Sequence, residues 1–476
     1  MPNTKRQLDH DVIIMGAGPA GTSTAIRLAA LGFNVGIIEH LQFPRAHVGI
    51  CLSDPTLALL DYIAPHSDLT GAHYWPRRVT AVKWGTPEPN FVKQSGIHVD
   101  RGALDQALLR KACVDGVSAY QPASIIDTCS MDEGGWRIAI AVAEKRRELR
   151  SSFLVDATGR SAVLPDNRLK DGPLLIALHA NWELAKPLDF DGLIEAGEDA
   201  WLWYAQTGCR RAAVSVFCAP QSIRTRNEED IQAHYLHILR QFRMVASCNF
   251  ARQCSPPRAC DATSRHSTNP VSDFHIRVGD ACVSVDPLSS QGVHLALLSG
   301  IQAAVIINTI LKKPENIEFS KKFYSRRIAE RVALYNNRTK AEYARVSAVC
   351  PEPFWHERAY GRTDAVTRVM AANTEPAAVT AGALVRIAPE VEFTKEPVID
   401  GSFVEEQMCV RHPGIEGAVA FLEGVRLITL LTALPAHMTY DEITTHWRDI
   451  VPPSQSDKIR AWLWRNRILV NVDDFK

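Results

Sequence analysis

A chain of 476 residues with 53 Lys plus Arg against 53 Asp plus Glu carries no net charge. That removes the electrostatic basis for binding nucleic acid or an anionic membrane surface. Its 46% hydrophobic and 22% charged residues are those of a globular protein, long enough for roughly two or three domains around large cores. Eleven cysteines are scattered without a C-x-x-C pair. Cys248, Cys254 and Cys260 recur at a constant spacing that is open to metal or disulfide use, but reduced thiols and a cytoplasmic setting are the expectation, with no metal site. The opening MPNTKRQLDH has no apolar stretch, so no secretory leader is expected.

Residues 12–15 are an apolar run short enough for a buried strand. Gly16-Ala17-Gly18-Pro19-Ala20-Gly21 follows, then an apolar helical pattern through Ala25, Leu28 and Leu31 that stops at Gly32. A second apolar run, Val35–Ile38, ends in Glu39 and His40. Strand, glycines, helix, strand and acid in this order form a dinucleotide-binding pattern. The first glycine permits a tight turn, the second lets backbone approach a pyrophosphate, and the third lets helix and strand pack closely. The helix N-terminus offers free N–H groups to phosphate, and the acid can bond a ribose hydroxyl.

Pro44 and Gly49 mark a loop, and Asp54-Pro55 opens a helix over 56–63. A strand is predicted at 79–84 and a helix after Asp100-Arg101; strands follow near 117–129 and 135–142. Residues 152–160, SFLVDATGR, read as a strand and turn in which Asp156 is structural. Runs rich in β-formers at 174–182, 201–205 and 212–219 predict an antiparallel sheet. A helix is expected over 228–246 and a polar loop over 248–270. The α/β style returns at Arg277-Val278-Gly279-Asp280-Ala281, with a helix at 292–312 and an amphipathic one at 318–350. The apolar window 294–311 contains His294, Ser299, Gln302 and Asn308 and reads as a buried helix, not a membrane span. Residues 373–412 are expected to contain a linker; helices near 416–432, 440–448 and 455–466 and a strand at 468–470 complete the chain.

GAGPAG with Glu39, DATGR at 156–160 and VGDACVSVDPLSSQG at 278–292 together resemble the three fingerprints of the para-hydroxybenzoate-hydroxylase-like flavoprotein monooxygenases, over about residues 10–350. The resemblance implies an α/β fold: a Rossmann-like FAD-binding domain, an inserted antiparallel-sheet substrate domain and a small, mainly helical C-terminal domain. Its expected boundaries are 1–75, 96–170 and 271–345 for the discontinuous FAD domain and 76–95 with 171–270 for the substrate domain. A helical and linker region, 346–412, and a C-terminal domain, 413–476, complete the division. The last is open to two readings, a winged-helix-like module that grips a peptide or a helical dimerisation or lid element. The resemblance also implies that Gly16, Gly18, Ala20 and Gly21 take the FAD pyrophosphate and Glu39 with His40 the adenosine ribose. Arg45, with Gly49 in its loop, and Arg101 contact the cofactor. Asp280 binds ribityl or phosphate oxygens, Pro287 lies beside the isoalloxazine, and Gln291, Gly292 and Val293 flank the flavin's pyrimidine edge.

Asp286 to Ala296 looks like the DP-x-x-S-x-G-V-H-L-A stretch of flavin-dependent halogenases. Trp201-Leu202-Trp203 looks like the start of their W-x-W-x-I-P motif, and Phe354-Trp355-His356-Glu357-Arg358 is similar to their F-W-x-x-R segment. Tyr204-Ala205-Gln206 departs from the motif. The region expected to supply the halogenase lysine offers Lys83, on a strand that can face either way, while Arg78 cannot form the same adduct. A halogenase-like chain of this kind resembles the monooxygenases that mature tryptophylquinone cofactors, as in quinohemoprotein amine dehydrogenase biogenesis. The expected activity is therefore hydroxylation of a tryptophan side chain in a partner polypeptide, through a flavin C4a-hydroperoxide formed with dioxygen. Gln291, His47 and His294 are candidates for engaging the ring N–H. With one complete GxGxxG, electrons are expected from an external flavin or nicotinamide reductase or from transiently bound NAD(P)H. Halogenation of an aromatic or carrier-bound substrate, a geranylgeranyl-reductase-type reaction and a scaffold with structural FAD are the alternatives.

Overall fold

The computed structural model describes residues 8–45, 51–65, 69, 74–220, 228–246, 248, 250–361, 379, 382–415 and 417–472. The chain forms two compact units, one of Met1–Leu311 with Arg327–Thr367 and one of Lys312–Arg326 with Arg368–Lys476.

The first unit contains two large sheets. In the seven-stranded sheet, Ser118–Tyr120, Val35–Ile38, His10–Met15 and Lys145–Asp156 lie side by side, parallel to one another. His275–Arg277 adds in parallel to the end of Lys145–Asp156. Val12, Ile13, Ile14 and Met15 are fully buried, as expected for a parallel strand covered on both faces. Lys145–Asp156 is long enough to serve two partnerships. Its last residues lie parallel to His10–Met15, while its first half pairs antiparallel with Trp136–Val142, which pairs in turn with Ala123–Ser130. The parallel strands end together at Met15, Ile38, Asp156 and Arg277, and ligands of open α/β sheets bind beyond such carboxyl ends.

The eight-stranded sheet runs Phe250–Gln253, Ile176–Leu184, Arg211–Cys218, Ala200–Gly208, Gly192–Ala196, Val79–Lys83, Asn90–Lys93, with Arg258–Asp261 also on Ile176–Leu184. All its pairings are antiparallel except Val79–Lys83 with Gly192–Ala196. Side chains alternate between its faces. Leu178, Ala180, Leu193, Leu202, Tyr204, Val214 and Val216 join a core with Tyr235, Ile238 and Phe242, from the helix Glu228–Leu239 and just beyond it. The intervening residues face the other way.

The helix Gly292–Lys312 is long and apolar enough to cross a membrane, but 78% of its apolar window is buried inside the protein. It packs closely on Pro19–Ala30: a Cβ on Gly300 would lie 2.1 Å from Ser23 Oγ and 2.5 Å from the Ala20 carbonyl oxygen.

Two expected irregular segments are strands. Residues 248–270 contain Phe250–Gln253, Arg258–Asp261 and Arg265–Ser267. They are short and their side chains are mostly exposed or half-buried, so they carry no apolar period, and their pairing is set by main-chain bonds to neighbouring strands. The expected linker contains, in the second unit, the hairpin Glu392–Asp400 and Phe403–Arg411, turned at Gly401 with φ 60°. Within that unit Glu396 bonds both Arg326 and Arg411. The helix expected over 228–246 breaks after Leu239 and resumes at Arg243–Ala246. Of the one expected over 416–432, only Leu427–Thr432 is helical, because Phe421–Leu422 and Val425–Arg426 form a small hairpin around Gly424, φ 79°. Glu442–His446, Pro453–Arg465 and the strand Leu469–Asn471 follow, packed on a core containing Leu430, Ile443, Trp447, Ile459 and Leu463.

Candidate active site

A cavity of about 730 Å³ lies beyond the carboxyl ends of the parallel strands and reaches the eight-stranded sheet. Its dinucleotide end is built by the first βαβ turn. Gly16 has φ 100°, and a Cβ there would lie 2.4 Å from the Ala157 carbonyl oxygen. A Cβ on Gly21 would lie 1.9 Å from the Gly16 carbonyl oxygen. Both positions need the missing side chain, one for conformation and both for space. The helix Pro19–Ala30 begins with no side-chain cap and no acid in its first turn, so its N-terminal amides are suited to an outside anion.

Arg45 leans over that turn. Its Nη2 is 3.4 Å from Asp105 Oδ2 and its Nη1 3.7 Å from Glu39 Oε1, while its buried Nε has no hydrogen-bond partner. A buried guanidinium N–H without a partner beside an uncapped helix start is the donor set a pyrophosphate would complete. Arg101 is 5% exposed and is held by Asp105, with Nε 3.1 Å from Oδ1. Glu39 is aimed by main-chain donors: Ala17 N reaches Oε2 at 3.0 Å and Leu41 N reaches Oε1 at 2.9 Å. A carboxylate so fixed retains acceptor capacity for a hydroxyl. Asp280 pairs with Arg160 Nε at 3.3 Å. Asp156 is a turn organiser, accepting from Thr158 N at 3.1 Å and Leu164 N at 3.0 Å. These groups fit FAD.

Of the residues singled out from sequence, Gly16, Gly18, Ala20, Glu39, His40, Arg45, Arg101, Asp280, Pro287, Gln291, Gly292 and Val293 all line this cavity. Gly21 lies behind the lining, at the contact with Gly16. His47 and Gly49 lie outside the described residues. His294 is not on the wall; its Nδ1 is 3.5 Å from Thr56 Oγ1. Burial, with Arg331 nearby, lowers its pKa and favours the neutral ring.

The other wall is one face of the antiparallel sheet. Strand register sets His179 beside Ser215, Ser215 beside Trp203, and Trp203 beside Ile194. Ala177, Phe217 and Trp201 form the next row in the same way. All of these line the cavity. Trp201 stacks on Phe217 with centroids 3.8 Å apart and planes 12° from parallel. His179 Nδ1 and Ser215 Oγ are 2.9 Å apart. Sequence reasoning passed over His179, Ser215 and Phe217. The available signal was the alternation of Ala177 and His179 with Leu178 and Ala180, the former two on the face opposite the core.

Lys83 is on the opposite face of this sheet. It shares parity with Ala81, which packs in the helix-covered core, whereas Val82 packs with Trp201 and Phe217. Its Nζ is 3.7 Å from Glu195 Oε1. Glu195 also accepts from Arg243 N and Met244 N, each at 3.1 Å, at the start of the helix Arg243–Ala246.

The remaining motif residues buttress the wall. Asp286 caps its own turn, accepting from Leu288 N at 2.9 Å, and Tyr343 Oη donates to it at 3.0 Å. Burial raises the Asp286 pKa, against the lowering effects of these two bonds. Arg358 donates to the carbonyls of Phe354 at 3.0 Å and Leu174 at 2.7 Å. Trp355 Nε1 donates to Glu198 O at 2.8 Å, and its ring meets Trp84 edge-on at 5.4 Å. The F-W-x-x-R residues thus hold the sheet's loops and aromatic backing in place.

The family model described as lycopene cyclase protein matches residues 11–172. The tryptophan 2-halogenase of Chondromyces crocatus is 25% identical over 343 residues, 66% of this chain and 64% of its own length, so the chain spans just under two thirds of that relative. Among solved structures, the peptidyl tryptophan dihydroxylase QhpG, described as essential for tryptophylquinone cofactor biogenesis, superposes with a TM-score of 0.72 at 25% identity. The match covers 96% of this chain and 99% of that one. The flavin-dependent halogenase CmlS gives 0.79 at 18% identity, over 98% and 97%, and bears on the fold alone. The three sequence fingerprints, the cradle at Gly16 to Gly21 and these likenesses agree on a fold and a cofactor site similar to those of the FAD-binding flavoprotein monooxygenases and flavin-dependent halogenases.

Proposed function

We propose that this flavoprotein hydroxylates a tryptophan side chain carried by a partner polypeptide. The observation that carries the reading is the position of Lys83. A halogenase needs a lysine between flavin and substrate, and here that lysine is on the far face of the sheet, paired with Glu195. No lysine is among the described residues lining the cavity. The face that does line it presents Trp201, Trp203 and Phe217, a flat apolar surface suited to an aromatic ring. The name of the QhpG neighbour adds that an indole within a peptide suits this architecture.

Bound FAD, once reduced by an external reductase or NAD(P)H, supplies with dioxygen the electrophilic oxygen. The chain's own groups do the positioning. Gly16 and Gly18 with the helix start and Arg45 hold the pyrophosphate, Glu39 the ribose, and Arg101 and Asp280 the middle of the cofactor. The turn Pro287 to Val293 sets the flavin ring. The aromatic wall orients the substrate and keeps water from the reacting centre. The eleven cysteines form no disulfide, which is compatible with a reducing, cytoplasmic setting.

The test is mass spectrometry of tryptophan, indole and a tryptophan-containing partner polypeptide after incubation with the FAD-loaded protein, a reductase system, oxygen, chloride and bromide. Added oxygen on the polypeptide is expected. Added halogen would replace the reading with halogenation, and unmodified polypeptide with steady peroxide release would remove it.

A further inference from the structure

Next to the cofactor cavity lies a smaller one of about 120 Å³. Its wall is polar, with Asp171, Asn336, Thr339, Lys340, Glu357 and Arg358 on it, and it is large enough for several hydrogen-bonded waters. Lys340 is exposed, as is Gly172 on the same wall, so the small cavity meets solvent at that end. Among the described residues, Asp286 is the one that lines both cavities. Its carboxyl oxygens are divided between them. Oδ1 accepts from the amide of Leu288, which lines the cofactor cavity, at 2.9 Å. Oδ2 accepts from the hydroxyl of Tyr343, which lines the small one, at 3.0 Å. Tyr343 is 2% exposed, and its ring packs on Trp84 and Trp355 at centroid distances of 6.2 and 6.0 Å. Burial, then the adjacent Asp286, keeps the Tyr343 hydroxyl protonated. Burial also raises the Asp286 pKa, against its two hydrogen bonds and the charges of Arg358 and Arg160.

We infer that Asp286 and Tyr343 form a proton relay from the small, solvent-fed cavity to the flavin end of the large one. The inference rests on the FAD site and oxygen chemistry proposed above and goes beyond them. Hydroxylating an aromatic C–H consumes one dioxygen, two electrons from the external reductant and two protons, and yields C–O–H and water. An aromatic wall that excludes bulk water leaves those protons in need of a route. In the acid form of Asp286 the proton sits on Oδ1, because Oδ2 already receives the Tyr343 hydroxyl. The Oδ1–H bond breaks and its proton enters the cofactor cavity. The Oη–H bond breaks and its proton passes to Oδ2. Water in the small cavity reprotonates Oη and recovers its own proton from solvent. Rotation of the carboxyl about Cβ–Cγ restores the starting arrangement. Both side chains are neutral before and after, and no electrons move along the relay.

Proton uptake tests this without any substrate. Anionic reduced FAD and dioxygen give FAD and hydrogen peroxide with uptake of one proton. The full-length FAD-loaded protein, reduced anaerobically and freed of reductant, is mixed with oxygenated, weakly buffered solution containing a pH-indicator dye. In the wild type, uptake is expected to keep pace with flavin reoxidation. In Y343F and D286N it is expected to slow roughly 100-fold with FAD retained, and formate, which supplies the missing carboxyl, is expected to speed it in D286A. Infrared titration of the apoprotein provides a readout free of flavin. It is expected to show a protonated-carboxyl band that D286N removes, that shifts in Y343F, and whose midpoint lies above the ordinary aspartate value near 3.9. Wild-type uptake in Y343F, or a D286N-sensitive band with a midpoint at or below that value, would overturn the relay. If Y343F loses FAD, T339F decides: it fills the small cavity and leaves the Asp286–Tyr343 bond in place, and unchanged uptake there would also overturn the relay. Because no substrate is present, failure here leaves the proposed hydroxylation untouched, and halogenation of the polypeptide would overturn that reading and leave the relay standing.

Discussion

In the proposed FAD site, Arg45 and the glycines of the first turn would divide the work of holding an anion. The glycines remove side chains where the backbone must close on itself, and the guanidinium brings charge to the space they leave. Replacing Arg45 with Met removes a partly buried cation whose Nε awaits an acceptor. FAD affinity should fall by about 1.5–3 kcal/mol, roughly 10- to 150-fold, as read by titrating the apoprotein with FAD. G21A should be more severe, since its Cβ would sit 1.9 Å from a main-chain oxygen that has nowhere to yield; the purified variant should carry little flavin in its visible spectrum. These residues were legible in the sequence because a glycine's role here is local, set by the strand before it and the helix after it. His179 was not legible in the same way. Its place on the wall depends on pairing with Arg211–Cys218, more than 30 residues away in the chain, and a lone histidine in an apolar run carries no label.

At the scale of elements, the eight-stranded sheet turns a one-residue difference in register into a different chemistry. Lys83 and Glu195 sit on the helix-packed face, while Val82 and Ile194 face the aromatic cluster. Replacing Lys83 with Met should therefore leave oxygenation within about twofold of wild type, as measured by product formed per electron pair consumed. It should lower stability by about 1 kcal/mol, because Glu195 keeps its two main-chain donors but loses its cation. The burial that raises the Glu195 pKa then goes less opposed. A K83M variant without product would instead put the lysine on the cavity side. The same scale explains the misread segments. Strands 250–253 and 258–261 are only four residues each, exposed or half-buried, and take their register from the main chain of Ile176–Leu184. The hairpin Glu392–Arg411 is charge-rich and carries cross-strand ion pairs, Glu396 with Arg411 among them. Composition alone reads such stretches as loops or linkers.

At the scale of the whole molecule, acid sensitivity follows from histidines held neutral. His98, 1% exposed, is pulled down to about 4, first by burial and against the bond of its Nδ1 to the Gln206 carbonyl. His275 is also pulled down to about 4, first by burial and then by Arg277. Between an unfolded value near 6.5 and the folded value near 4, the unfolded chain binds protons that the native one does not. Stability is therefore fully present above about pH 6.5 and is lost as pH falls through that window. The urea midpoint should decline from pH 7 to pH 4.5, and H98Q should flatten the decline; a flat wild-type profile would refute the assignment.

The sequence by itself determined the dinucleotide turn, the acid after the second strand, the flavin fingerprints and the helical or strand character of the strongly periodic segments. Each is written in neighbouring residues, through backbone conformation and the period of burial. Tertiary structure alone decided which face of the antiparallel sheet meets the flavin cavity. That choice sends Lys83 to Glu195 and brings His179, Ser215, Trp203 and Phe217 together. The physical reason is that a strand has two equivalent faces until its partners, and the helices that cover one of them, break the symmetry.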